Sequence, residues 1–157
     1  MKNTAKAVAH FFDPDQFGYF RIKDIFAIRS ASKTESRMNF TRLIPNVYYA
    51  SIQDGIKFFV DCLEFSIGHE ELKSENPFCV LEKNELRLFL FQHHALAKEH
   101  NPEFRLVTHA IDDVYKKVSA SHPEFLHPNL NKVTLRPWGA KEFALRDHQV
   151  CVIIQQW

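Results

Sequence analysis

Residues 51–65 read Ser51-Ile52-Gln53-Asp54-Gly55-Ile56-Lys57-Phe58-Phe59-Val60-Asp61-Cys62-Leu63-Glu64-Phe65. Apolar side chains fall at Ile52, Ile56, Phe59, Val60 and Leu63, which is helical spacing along one face. Ser51 with Asp54 three residues later has the form of a capping box. Gly55 weakens such a helix by about 1 kcal/mol relative to Ala without ending it. Upstream, residues 43–50 are rich in β-branched and aromatic types and predict a strand. Downstream, extended stretches are predicted over about 65–72, 77–83 and 86–92, with Asn76-Pro77 and Lys83-Asn84 as the turns between them.

The order then repeats. Residues 103–109 predict a strand, and Asp112 is placed to cap a short helix with Val114, Tyr115 and Val118 inward and Pro123 beyond its end. Strands follow near 131–136, 141–146 and 150–155, with Gly139 in one turn and Asp147-His148-Gln149 in the other. Strand–helix–three-strand therefore occurs twice, in modules of about 42–95 and 102–157. The fold class is α+β over residues 42–157. Each module buries its helix on one face of a small sheet, and the opposite faces must meet or enclose something.

Composition narrows the function. With 157 residues the chain suits one domain with a real core. Fifteen Phe residues imply an aromatic core or an aromatic-lined pocket. Lys+Arg 20 against Asp+Glu 19 leaves no electrostatic footprint for nucleic acid or an anionic membrane. Cys62, Cys79 and Cys151 are odd in number and far apart, so a reducing, cytoplasmic setting is expected. No apolar run approaches the roughly 20 residues that span a bilayer. Residues 1–41 stand apart as an N-terminal extension, in which 1–37 hold no clean period. Two readings stay open for it: translation starting naturally at Met38, or an arm that docks on the domain or on a second subunit.

Residues 51–65 resemble the first helix and following strand of the vicinal oxygen chelate superfamily, which includes glyoxalase I, extradiol dioxygenases and bleomycin resistance proteins. Ala110-Ile111-Asp112-Asp113-Val114-Tyr115 is similar to the start of that fold's second helix. Arg136-Pro137-Trp138-Gly139-Ala140-Lys141-Glu142-Phe143, followed by Asp147, is similar to a hairpin common in the bleomycin-resistance branch. The resemblance covers about residues 42–157. It implies two βαβββ modules forming a curved mixed sheet around a groove, with helices on the outer face. Metal-dependent members carry four ligands on the groove face, on strands one, four, five and eight. Bleomycin resistance members lack the metal and hold a bulky cationic drug between two subunits.

Carried over one at a time, those ligand positions fall on Ile44, on Arg87 or Phe89, on Glu103 and on Val152, the last with an uncertainty of one residue. One carboxylate in four does not satisfy a first-row divalent ion, which needs about three or four N, O or S ligands. No metal site and no cofactor are therefore expected. Of the nine histidines, His93-His94 are placed in the loop after strand four, and His69, His109, His122, His127 and His148 show no ligand spacing. A site outside the family pattern, from His93, Glu103 and His109, stays open. Cys79 and Cys151 read as small core residues, and Cys62 lies near a helix end whose dipole does not favour a thiolate.

What remains is a groove. Strand alternation places Asn46 and Tyr48 on it from strand one, Arg87, Phe89 and Phe91 from strand four, Glu103 and Arg105 from strand five, and Val152 and Ile154 from strand eight, with Trp138 at the hairpin end. Leu86, Leu88 and Leu90 are left to pack on the helix. An apolar cleft with a few placed polar groups suits a small molecule. The expected function is a dimeric, metal-independent protein that sequesters an aromatic or cationic compound, with Glu103 pairing the cation. Two alternatives stand beside it: a lyase or dioxygenase of the same superfamily with a shifted metal site, and an interaction module whose groove is filled by side chains.

Overall fold

In the computed structural model, which describes residues 38–157, the first module begins with β1 (Asn46–Tyr49) and α1 (Ile52–Ile56). Helix α1 runs without a break into a wider π-helical stretch, Lys57–Cys62. Then follow β2 (Ser66–Glu71), β3 (Phe78–Lys83) and β4 (Leu86–Gln92). A connecting helix, α2 (His94–Glu99), leads to β5 (Glu103–Val107) and α3 (Ile111–Ser121). The second module ends with β6 (Thr134–Leu135), β7 (Lys141–Arg146) and β8 (Cys151–Gln156). The strands form two four-stranded mixed sheets, ordered β1-β4-β3-β2 and β5-β8-β7-β6. In each sheet the first strand lies parallel to its neighbour, β1 to β4 and β5 to β8, and the remaining pairs are antiparallel. The fold class is α+β, built from two βαβββ modules as the sequence predicts.

Alternation along the strands decides which face each sheet buries. Val47, Tyr49, Cys79, Leu81, Leu88 and Leu90 turn toward α1 and join Ile52, Phe58 and Phe59. In the second module, Phe143, Leu145, Val152 and Ile154 join Ile111 and Val118 of α3. These two sets form one core, with the rings of Phe58 and Phe125 crossing edge to face at 5.1 Å. Each large apolar side chain fully buried there contributes about 1.5–3 kcal/mol. The helix-covered faces of the two sheets thus meet, and the open faces turn away from the shared core. The sequence left the open faces either meeting or enclosing something. The physical reason for the difference is that the strongest apolar stripes of both helices and both sheets lie on the helix side.

Several local expectations change. Ser51 is the N-cap of α1, yet its side chain makes no cap bond; Gln92 Oε1 accepts from Ile52 N at 3.2 Å instead. Asp112 lies in the first turn of α3 and is not its cap; Ile111 N donates to Gln156 Oε1 at 3.0 Å. The two modules therefore cap their helices the same way, with a glutamine from the end of the last strand. Leu86 was expected on the helix face but stands exposed beside the turn at Asn84, whose φ is 54°. Val152 and Ile154, expected in the groove, are in the core: Val152 lies between Phe104 and Leu145 in register. Strand β8 sits one residue away from the register assumed, and a shift of one flips every side chain to the other face. The expected strand near 131–136 is reduced to Thr134–Leu135.

Candidate functional site

The open face of the first sheet carries a row of rings. Phe78 and Phe91 are register partners on β3 and β4, and Tyr48 on β1 is the partner of Phe91. Phe78 and Phe91 stack with centroids 5.9 Å apart and planes at 26°. Tyr48 and Phe91 stack at 5.7 Å and 28°, and Phe89 meets Phe91 edge-on at 6.2 Å. Histidines close both ends: His69 lies 5.7 Å from Phe78 and His100 5.8 Å from Tyr48. The three central rings are half-buried, so each keeps one side toward solvent. Beside the row, Asn46, Tyr48, Glu99, His100, Asn101 and Pro102 line a shallow open cleft of about 250 Å³. Arg87, on the same face, pairs with Glu82 across the β3–β4 ladder.

The open face of the second sheet is polar. Glu142 on β7 is 2 % exposed, although it is a carboxyl. It accepts from Arg136 Nε at 2.9 Å, from Gln155 Nε2 at 2.9 Å and from Arg105 Nη1 at 3.5 Å. Burial of a carboxyl requires such donors, and strands β5 and β8 and the β6–β7 hairpin supply them. Arg105 also reaches Glu103 Oε1 at 3.5 Å. Pro137 and Gly139 build the hairpin, which is closed by Gly139 N donating to Arg136 O at 2.9 Å and Arg136 N donating to Ala140 O at 2.8 Å. Gly139 adopts a φ of 93°, a conformation that favours glycine. The turn holds Trp138 outward, 56 % exposed, with the Arg136 guanidinium 5.6 Å from its ring.

The site residues read from the sequence therefore divide into two groups. Asn46, Tyr48, Arg87, Phe89 and Phe91 come together on one sheet. Glu103, Arg105 and Trp138 lie on the other, and Val152 leaves the set for the core. The carboxyl of Glu103 is exposed and lies 3.5 Å from Arg105, a weak surface pair. Phe78, Glu142, Gln155 and Arg136 were missed. The available signal for Glu142 was its place beside Phe143 in β7: if one faces the helix, the other faces out. His93 caps α2 by accepting from Leu96 N at 3.2 Å, and His93, Glu103 and His109 form no cluster.

The thiols are quiet. Burial, reinforced by Glu124 and Glu64, pushes Cys62 up to about 12. Burial, reinforced by Glu70, pushes Cys79 up to about 11, and burial also raises Cys151. Each of these shifts disfavours the thiolate.

No protein-family model matches the chain, and none of the curated proteins matches it. Solved structures do. A bleomycin-binding protein complexed with bleomycin is 18% identical, with a TM-score of 0.57, over 75% of this chain and 99% of that one. The bleomycin-binding protein of Streptomyces verticillus, complexed with copper(II)-bleomycin, is 19% identical with a TM-score of 0.54, over 74% and 96%. A glyoxalase/bleomycin resistance protein/dioxygenase from Nocardioides is 10% identical with a TM-score of 0.59, over 86% and 92%.

The metal of the dioxygenase and lyase members is a poor match for these residues. With the observed register, the implied ligand positions fall on Ile44, Arg87 or Phe89, Glu103, and Cys151 or Ile153. Glu103, the single oxygen donor, is paired with Arg105. Among the described residues no three His, Cys, Asp or Glu side chains gather to hold an ion. Two mixed sheets ordered β1-β4-β3-β2 and β5-β8-β7-β6, each covered by one helix, give this chain the fold of the bleomycin-binding proteins and the glyoxalase/bleomycin resistance protein/dioxygenase superfamily, the group its sequence motifs resemble.

Proposed function

We propose that this chain is a small-molecule binding protein of the bleomycin-resistance type, which sequesters an aromatic compound without a metal in a groove completed by a second copy. The observation that carries the reading is the Phe78–Phe91–Tyr48 row. Stacked rings left half-open on a sheet face are a costly use of aromatic surface unless something covers them. Proteins of this fold crystallised with bleomycin support a small-molecule ligand in such a fold. The same reading makes the protein a homodimer: each open face points away from its own chain's core, which leaves room for a second chain to supply the opposing wall. Three free cysteines suit a reducing compartment such as the cytoplasm.

The test is calorimetric titration with methyl 2-naphthoate, a neutral flat probe. Binding is expected, and Phe91→Ala should weaken it by about 2- to 12-fold, the scale of a lost stacking partner. Equal affinity in the variant would remove the row from the site. Light scattering should give twice the chain mass, and a monomer that still binds the probe would exclude the shared groove.

A further inference from the structure

Arg105 and Arg136 converge on one carboxyl, and neither is used up by it. Glu142 lies on β7, while Arg105 lies on β5, two strands away with β8 between them. To touch Glu142 the Arg105 side chain must cross the open face over β8. Its two contacts, to Glu142 and Glu103, are both 3.5 Å long. Charge-assisted hydrogen bonds of this kind settle at about 2.7–2.9 Å, so the Arg105 guanidinium is loosely held and most of its N–H donors are uncommitted. It is also 49% exposed. Arg136 binds Glu142 through Nε alone at 2.9 Å and lays its guanidinium against Trp138. Its two Nη groups are outside that bond.

The two partners of Arg105 differ in permanence. Glu142 is buried and further anchored by Gln155 at 2.9 Å. Glu103 sits in solvent at the sheet edge, 55% exposed, where an ion pair is weak and readily exchanged. A guanidinium drawn toward a buried, anchored carboxyl on one side and a replaceable one on the other, and gripped tightly by neither, keeps donors free to accept a planar oxyanion in bidentate fashion. Trp138 beside Arg136 adds an aromatic surface at the same place.

We propose that Arg105 and Arg136 receive an oxyanionic group, such as a carboxylate, sulfonate or phosphate, carried by the ligand, with Glu142 as the positioning residue that holds both guanidiniums on the open face. The ligand is then an aromatic anion, opposite in sign to the one the motif resemblance implies. This inference rests on the aromatic-binding reading for the ring of the ligand and adds its charged group.

Three probes with one ring test it: methyl 2-naphthoate, 2-naphthoate and 2-naphthylmethylammonium, titrated into the full chain by calorimetry. The expected order puts 2-naphthoate about tenfold or more tighter than the other two, with the advantage shrinking as salt rises. Arg105→Met should erase that advantage and leave the ester unchanged, while Arg105→Lys, a point charge without the fork, should restore part of it. Arg136→Met is the second variant and should halve the gain or more. If the ester binds but the anion is no tighter than the ammonium, the anion site is wrong and the aromatic reading stands. If none of the three binds, both fail. An anion advantage that survives in both methionine variants places the site elsewhere.

Discussion

The phenol of Tyr49 donates a 2.8 Å hydrogen bond to Oδ2 of Asp147, 98 residues along the chain. The other carboxylate oxygen accepts from Gln149 N and Val150 N, each at 2.7 Å. One side chain thereby closes the β7–β8 turn and fastens it to β1. The bond crosses between modules, so it contributes to holding the two repeats in one body as well as to local stability. Burial first, and Asp147 second, raise the Tyr49 pKa well above the ordinary phenol range.

Tyr49→Phe should therefore lower stability by about 1–2 kcal/mol, since Asp147 keeps its two backbone donors. The same substitution should change the alkaline limb of stability. In the folded chain the phenol stays protonated, whereas in the unfolded chain it ionises near pH 10. Stability from this group is fully present below about pH 10 and is lost as pH rises further. Urea unfolding from pH 8 to 11 should show a smaller decline in Tyr49→Phe than in the parent chain.

Gly55→Ala tests packing against propensity. Alanine is favoured in a helix by about 1 kcal/mol. A Cβ at this position, however, would lie 2.7 Å from Tyr49 Cε2 and 3.0 Å from Leu90 Cδ1. Overpacking costs about 1–3 kcal/mol, so thermal unfolding should show net destabilisation. A stabilised variant would mean that the Tyr49 ring yields without loss.

Glu142→Ala removes the acceptor shared by Arg105, Arg136 and Gln155. The expected cost is about 1–3 kcal/mol, because both guanidiniums keep access to water while Gln155 is left buried. Glu142→Gln should cost less. Denaturant titration of both variants measures this, and equal stability of Glu142→Ala and the parent would show that the network is dispensable.

Thiol labelling with a disulfide reagent at pH 8 should mark Cys151 before the other two. Cys151 is only partly buried, whereas Cys62 and Cys79 are buried with thiols pushed up to about 12 and about 11. Cys62 and Cys79 should react at the rate of unfolding, which Cys62→Ser and Cys79→Ser variants assign by mass spectrometry.

Much of this fold was legible because strong periodicity survives in the chain. Leu86–Gln92 alternates cleanly in burial, and it and Lys141–Arg146 carry the strand bounds the sequence predicts. The connecting helix His94–Glu99 was missed because six residues hold too little pattern to separate helix from loop. At β8 the run Cys151-Val152-Ile153-Ile154 is apolar throughout, so parity gave no clue to its face and Val152 was placed on the wrong one. Alternation alone found Tyr48, Phe89, Phe91 and Arg105 on open faces. It did not find that they belong to two separate faces, because that depends on which sides of the sheets share the core, a tertiary balance that no single strand records. Glu142 was passed over because a carboxyl in a strand ordinarily points to water, and its burial depends on partners drawn from three other segments.

The two repeats build matching scaffolds, down to the glutamines that cap their helices, yet their outward walls have diverged: one is a shelf of stacked rings, the other a lattice of paired charges. A half-length ancestor assembled from identical units would offer a cleft with the same chemistry on both sides. Repeats whose solvent-facing positions differ in this way would offer an unsymmetrical guest of the proposed kind two unlike surfaces, one suited to dispersion and the other to charge. This arrangement also leaves the exposed positions of either wall open to redesign, provided the buried Glu142 and Gln155 are kept.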